Sequence, residues 1–167
     1  VEVSVWSDVI FLTGGIVTSR DAGIDVYDVV RKLGAEIGYV PGNHIDVNRY
    51  RIEDHLCRMT EDPRRWTSYC NDQCIVTGYA GYDALTRFLP PEHYLCWHLR
   101  EALVESIKVG VLQGQGPDGK VLAVIREEFS GWTIDRLVVT LQQQEELSFT
   151  SFIPLVAGVV REALEKL

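Results

Sequence analysis

Asp118 and Lys120 stand two positions apart in Pro117-Asp118-Gly119-Lys120, a carboxylate and an ammonium on either side of a glycine. On an extended strand that spacing projects both side chains to one face, because successive residues alternate. The same four residues are also ordinary surface-turn chemistry, with proline presetting φ and glycine tolerating a positive φ. Asp72 and Gln73 form a second polar pair, between Asn71 and Cys74. They read either as ligand-facing groups or as the end of a polar loop. Arg58, Arg64 and Arg65 bring cations together, as an anion-binding patch or as a solvated charge run.

Other reactive residue types are dispersed. His44, His55, His93 and His98 contain no H-x-x-x-H pair. Cys57, Cys70, Cys74 and Cys96 contain no C-x-x-C pair. Neither a metal site nor a disulfide framework is expected, and the thiols read as free and mostly buried. Trp6, Trp66, Trp97 and Trp132 read as core or interface anchors. A net charge of −8 argues against binding a phosphate backbone, so no nucleic-acid partner is expected. No run of 18 apolar residues occurs, so no membrane span is expected either. The opening Val1-Glu2-Val3-Ser4-Val5 reads as a strand and lacks the basic region of a signal peptide. These features predict a cytoplasmic protein with one core, or one core with an appendage.

The elements that must position these residues follow from periodicity. Residues 1–12 read as a strand, Gly14-Gly15 as a tight turn, and Ile16-Val17-Thr18 as the returning strand. Asp25 is placed to cap a helix whose apolar positions Val26, Val29, Val30, Leu33 and Ile37 recur at helical spacing. Gly38 is placed to stop it. Pro41-Gly42-Asn43 signals a turn. Residues 44–53 read as a strand, the polar stretch after them as an irregular loop, and 74–80 as a short buried strand. Pro90-Pro91 opens a helix reaching about Val109, with Leu95, Leu99 and Leu103 in its apolar stripe. Gln113–Gly119 reads as a glycine-rich turn. Strands Val121–Phe129 and Trp132–Gln142 then join through Ser130-Gly131. A last helix over 148–167 carries Phe149, Phe152, Ile153, Val156, Val160 and Leu164 on one side. The organisation is a β-β-α-β unit over 1–54, an irregular loop over 55–73, and a β-α-β-β-α unit over 74–167. That order is α+β, with antiparallel sheets covered by helices on one face and a sheet face left free.

Several short segments, in order, resemble S-adenosylmethionine synthetase (methionine adenosyltransferase). Gly14-Gly15-Ile16-Val17-Thr18 through Ile37-Gly38-Tyr39 resembles the family's strand, Gly-Gly-Glu turn, strand and helix ending in Ile-Gly-Tyr. Asp46-Val47-Asn48 is similar to its Asp-Ala-Asn. Asn71-Asp72-Gln73-Cys74 with Gly78-Tyr79-Ala80 is similar to its Gly-Asp-Gln-Gly and Gly-Tyr-Ala. Pro117-Asp118-Gly119-Lys120 is similar to its Pro-Asp-Gly-Lys. The resemblance covers about residues 1–165 and implies a fold whose flat sheet face pairs with a second subunit. It implies that methionine sulfur attacks the ribose carbon of ATP and that triphosphate leaves and is hydrolysed. Lys120 would be the catalytic contact to triphosphate, Asp118 an adenosine contact, and Asp72 with Gln73 part of the methionine site. It also implies Mg2+ and K+.

The departures are as informative. Ile16 stands where the family has a methionine-binding Glu, and isoleucine cannot accept a hydrogen bond. Ser4 stands where the family has a Glu near its potassium site. Thr60-Glu61-Asp62-Pro63-Arg64 matches the family's Lys-Gln-Ser-Pro-Asp loop poorly, and the opening Gly-His-Pro-Asp-Lys segment has no counterpart. The expectation is therefore one subunit of a split or heteromeric synthetase, acting on ATP and methionine. A second synthetase-like chain, or another copy, would supply the missing His and the metal ligands. The alternative is a non-catalytic regulatory or scaffold subunit that kept the fold and lost the site.

Overall fold

The computed structural model describes residues 1–20, 23–68, 75–144 and 148–167. The chain forms two compact units, Val1–Val76 and Thr77–Leu167.

The first unit is a three-stranded sheet with one long helix. Strand β1 (Glu2–Trp6) pairs antiparallel with β2 (Val9–Thr18), which pairs parallel with β3 (Arg51–Thr60). The hairpin turn falls at Ser7-Asp8, with Ser7 at φ 57°. The expected turn at Gly14-Gly15 is thus corrected: both glycines lie inside β2. Gly14 does need to be glycine, for a different reason. Its φ is 110°, and a Cβ there would stand 3.1 Å from the Val1 Cα. Hairpin partners and close backbone approach use the same residue, which is why the sequence signal misplaced the turn. β3 is likewise displaced from the expected 44–53. Val47–Arg49 is a short 3-10 turn capped by Asp46, and residues 55–60, expected in a loop, are strand. Polar side chains hid that strand: Glu53, His55 and Cys57 are exposed, and Leu56 is buried. Asp54 accepts from Arg58 Nη2 at 2.5 Å and from the Leu56 N–H at 3.0 Å. Both bonds favour the ionised carboxylate, and Arg58 most of all holds Asp54 below the usual carboxylate range.

Helix α1 (Val26–Ile37) is the parallel crossover between β2 and β3. Its ends are as the sequence predicts. Asp25 Oδ1 accepts from the N–H groups of Tyr27 and Asp28, at 2.9 and 3.2 Å. Gly38 closes the helix at φ 116°. The following Pro41-Gly42-Asn43 turn is also present, with Gly42 at φ 102° and Asn43 Nδ2 donating to the carbonyls of Gly38 and Val40. Ile10, Leu12, Tyr50 and Leu56 form the core, with Ile16, Val26 and Val30 packed against it. Gly34 lets α1 approach Tyr50. An added Cβ would meet Val47 Cγ1 at 2.8 Å and Tyr50 Cε2 at 2.9 Å. Gly34→Ala gains helix propensity of about 1 kcal/mol. Overpacking against a β-branched side chain and a ring costs about 1–3 kcal/mol. A net loss on the order of 1 kcal/mol is expected, read as a lowered urea midpoint. One helix does not cover three strands. Val3 and Val5 on β1 face an open apolar groove of about 500 Å3, with Val29, Leu33 and Ile37 of α1 on its other side.

After β3 comes a single short helical turn, α2 (Arg64–Thr67). The expected buried strand at 74–80 does not form over its described part. Residues 75–80 have no regular structure, and Ile75 is 99% exposed.

The second unit packs two helices on a hairpin. Helix α3 (Pro91–Lys108) starts at the expected prolines. Strands β4 (Gln115–Glu128) and β5 (Gly131–Gln143) are antiparallel, and α4 (Phe149–Leu164) follows. Leu95, Leu99 and Ala163 form one buried cluster, and Leu103, Leu112, Phe152 and Val159 another. Val121, Val139 and Leu141 of the hairpin pack against the second of these. The α3 stripe is as predicted. On α4, Phe152 is buried but Phe149 and Ile153 are exposed, so the buried stripe turns toward Val159 and Ala163.

Candidate functional site

Inward and outward residues alternate along β4. Val121 and Ala123 pack toward the helices, while Leu122 and Val124 are exposed on the other face. Across the hairpin, Leu122 pairs with Val138 and Lys120 with Thr140. The outer face therefore carries Lys120 together with exposed Leu122, Val124 and Val138.

Pro117-Asp118-Gly119-Lys120 is strand, not turn, which corrects the turn reading; the hairpin reverses at Phe129-Ser130. The strand is irregular here. Gln115 pairs with Gln143, and the next partners are Gly119 and Leu141, so three residues on β4 stand opposite Gln142 alone. Two glycines make that bulge possible. A Cβ on Gly116 would lie 2.5 Å from Gln142 Oε1, and one on Gly119 would lie 2.7 Å from Leu141 Cδ2 and 3.0 Å from the Thr140 carbonyl. The glycine richness that signalled a turn belongs to this close approach.

The bulge forms one wall of a cavity of about 460 Å3, with Asp118 and Lys120 among its lining residues. α3 forms the opposite wall through His93, Cys96, Trp97 and Arg100. These positions share one helical face, at spacings of three, four and seven. The sequence reading missed them as a group; the signal available was that spacing beside the buried Leu95, Leu99 and Leu103 stripe. Cys96 Sγ lies 3.6 Å from the Val121 carbonyl. Burial pushes its thiol pKa up, so Cys96 is a poor nucleophile at neutral pH. Arg87 stacks over Trp97, 4.7 Å from the ring centroid.

The fold resembles that of an S-adenosylmethionine synthetase. The solved structure of an unusual S-adenosylmethionine synthetase from Campylobacter jejuni matches it with a TM-score of 0.69, at 15% identity, over 94% of this chain. This chain spans 42% of that protein's length. No family profile and no curated protein matches the sequence. The likeness bears out the mixed α+β, synthetase-like fold.

Within this synthetase-like fold, the remaining candidate residues separate. Asp72 and Gln73 lie outside the described residues. Ile16 packs against the first unit's core, as an ordinary aliphatic residue of β2. Ser4 is exposed on β1. The anion-patch reading of the arginines is corrected for two of them. Arg58 is bound to Asp54, and Arg64 to Asp62 at 2.8 Å. His98 Nε2 lies 2.9 Å from the Ala163 carbonyl, joining α3 to the end of α4. Among the described residues, no three His, Cys, Asp or Glu side chains converge as a metal site, and no helix is long and apolar enough to cross a membrane.

Proposed function

We propose that this chain is one subunit of a split or heteromeric S-adenosylmethionine synthetase, joining ATP and methionine in a site completed by a second synthetase-like chain. The observation that carries this reading is the placement of Asp118 and Lys120. They fall at the Pro-Asp-Gly-Lys positions of the resemblance, on a glycine-built bulge, within a fold similar to less than half of a whole synthetase. Lys120 would meet the triphosphate as a point charge, and Asp118 would accept hydrogen bonds from the adenosine. Asp72 and Gln73 would complete the methionine side. The described residues do not build a divalent-metal site, so the ligands for Mg2+ and K+ would come from the partner. The exposed Leu122, Val124 and Val138 suit a pairing face, because an apolar sheet face is stabilised by being covered.

Lys120→Ala tests the reading in the assembled complex. A charged hydrogen bond to phosphate is worth about 1.5–3 kcal/mol. Triphosphate and ATP-analogue affinity should fall about 10–150-fold by calorimetry, with the melting temperature unchanged. Equal affinities would favour the second reading, a non-catalytic subunit, to which the packing of Ile16 into the core already points.

A further inference from the structure

We propose that the apolar groove between α1 and β1 seats an amphipathic helix of a partner protein, with a lysine or arginine on the flank that meets Glu36. The groove exists because the two layers of the first unit differ in width. Three strands about 4.8 Å apart make a floor about 14 Å wide, and a helix with its side chains covers about 10 Å of it. α1 sits to one side of that floor. Its Arg31 Nη2 donates to the Tyr50 carbonyl at 3.3 Å, and Gly34 lies against Val47 and Tyr50, so that flank faces the β3 side. The opposite flank, with Val29, Leu33 and Ile37, lines the groove toward β1. β1 is left without a helix: Val3 and Val5 are 58% and 61% exposed, while their cross-strand partners Leu12 and Ile10 are buried. In the second unit, by contrast, two helices cover a two-stranded hairpin.

A helix is the element that fits. Val29, Leu33 and Ile37 stand at i, i+4 and i+8 and form a rail about 12 Å long, enough for about two turns of a second helix laid about 8–10 Å from α1. Val3 and Val5 project to one side of β1 and form the other rail. Apart from Tyr39 and Tyr50 the lining is aliphatic or glycine, which leaves little to orient a polar small molecule. The rim sets the sign of the partner. Lys32 and Glu36 stand three and seven positions after Val29, on the same flank. Lys32 is paired with Asp28 at 2.7 Å, whereas Glu36 has no ion pair among the described residues. The uncompensated rim charge is therefore negative, and a cation on the incoming helix complements it. A second copy of the chain offers no such match on α4: its exposed apolar pair, Phe149 and Ile153, has no lysine or arginine nearer than Arg161. The groove is independent of the synthetase reading, since it uses neither Asp118 nor Lys120 nor the outer face of the hairpin.

Calorimetry on the full chain tests it, with two synthetic peptides of about 15 residues, a length at which an isolated helix begins to hold. Both carry the same leucine stripe, flanked by lysine in one and by glutamate in the other. The lysine peptide should bind about twofold to fivefold tighter at low salt, with the difference shrinking as salt is added. Glu36→Lys should reverse that preference. Leu33→Asp and Val3→Asp, one on each rail, should each weaken both peptides at least tenfold. Both side chains are more than half exposed, and a circular dichroism spectrum matching the parent chain establishes that the fold persists. Leu33→Met should bind as the parent does. No binding of the lysine peptide at millimolar concentration, or unchanged affinity in Leu33→Asp, would overturn the proposal. So would a dimer of the chain alone, seen in sedimentation and abolished by Leu33→Asp, which would make a second copy the occupant. Dodecanoate bound more tightly than the lysine peptide would also overturn it, and would make the groove a site for a small apolar ligand.

Discussion

The pure chain, given ATP, methionine, Mg2+ and K+, should form no S-adenosylmethionine, and activity should appear only when a second synthetase-like chain is added. This is the largest effect expected here. The proposed reaction would expel triphosphate, so its transition state would need several charged groups acting together. Removing one such group costs about 10²–10³ in rate, or about 2.7–4 kcal/mol. On the resemblance, several such groups have no counterpart here. Ile16 stands where the resemblance implies a carboxylate, and it packs against the first unit's core. The described residues bring no three carboxylate, imidazole or thiol side chains together for a metal. A coupled assay for phosphate release, with S-adenosylmethionine quantified by mass, reads the result directly. Steady turnover by the isolated chain would end the split-subunit reading.

Leu99→Ala should lower the stability of the second unit by about 2–5 kcal/mol. Leu99 is 0% exposed and lies between Leu95 and Ala163 in the cluster that joins α3 to α4 and the hairpin. The loss combines transfer of the side chain with the cavity left behind, because neighbours anchored on two helices cannot collapse fully. The first unit has its own core, so the two should melt separately in the variant. Circular dichroism and calorimetry would show a transition for the second unit shifted down. A shift of less than about 1 kcal/mol would mean that α3 and α4 repack freely around the lost side chain.

Helices were legible in the sequence because their signals are local. Asp25 and Gly38 bound α1 by hydrogen bonds to residues two to four positions away. Pro90-Pro91 open α3, and its leucines fix the buried stripe. The hairpin β4–β5 was legible for the same reason, since its strands are adjacent and rich in β-branched residues. Strand pairing over longer separations was not. β3 pairs parallel with β2 across an entire helix, and its alternating polar residues look like a loop until a partner strand satisfies the backbone.

The two glycine clusters show the same division. Sequence by itself identified Gly14, Gly116 and Gly119 as positions without a side chain, and Asp118 and Lys120 as paired opposite charges. Only tertiary structure decided that these glycines admit a neighbouring backbone or side chain rather than reverse the chain. It also decided that β4 bulges beside α3, bringing His93 and Arg100 to the cavity that Asp118 and Lys120 line. The physical reason is that a turn and a close approach both demand the absence of a Cβ, and one residue type cannot say which atom would have been in the way.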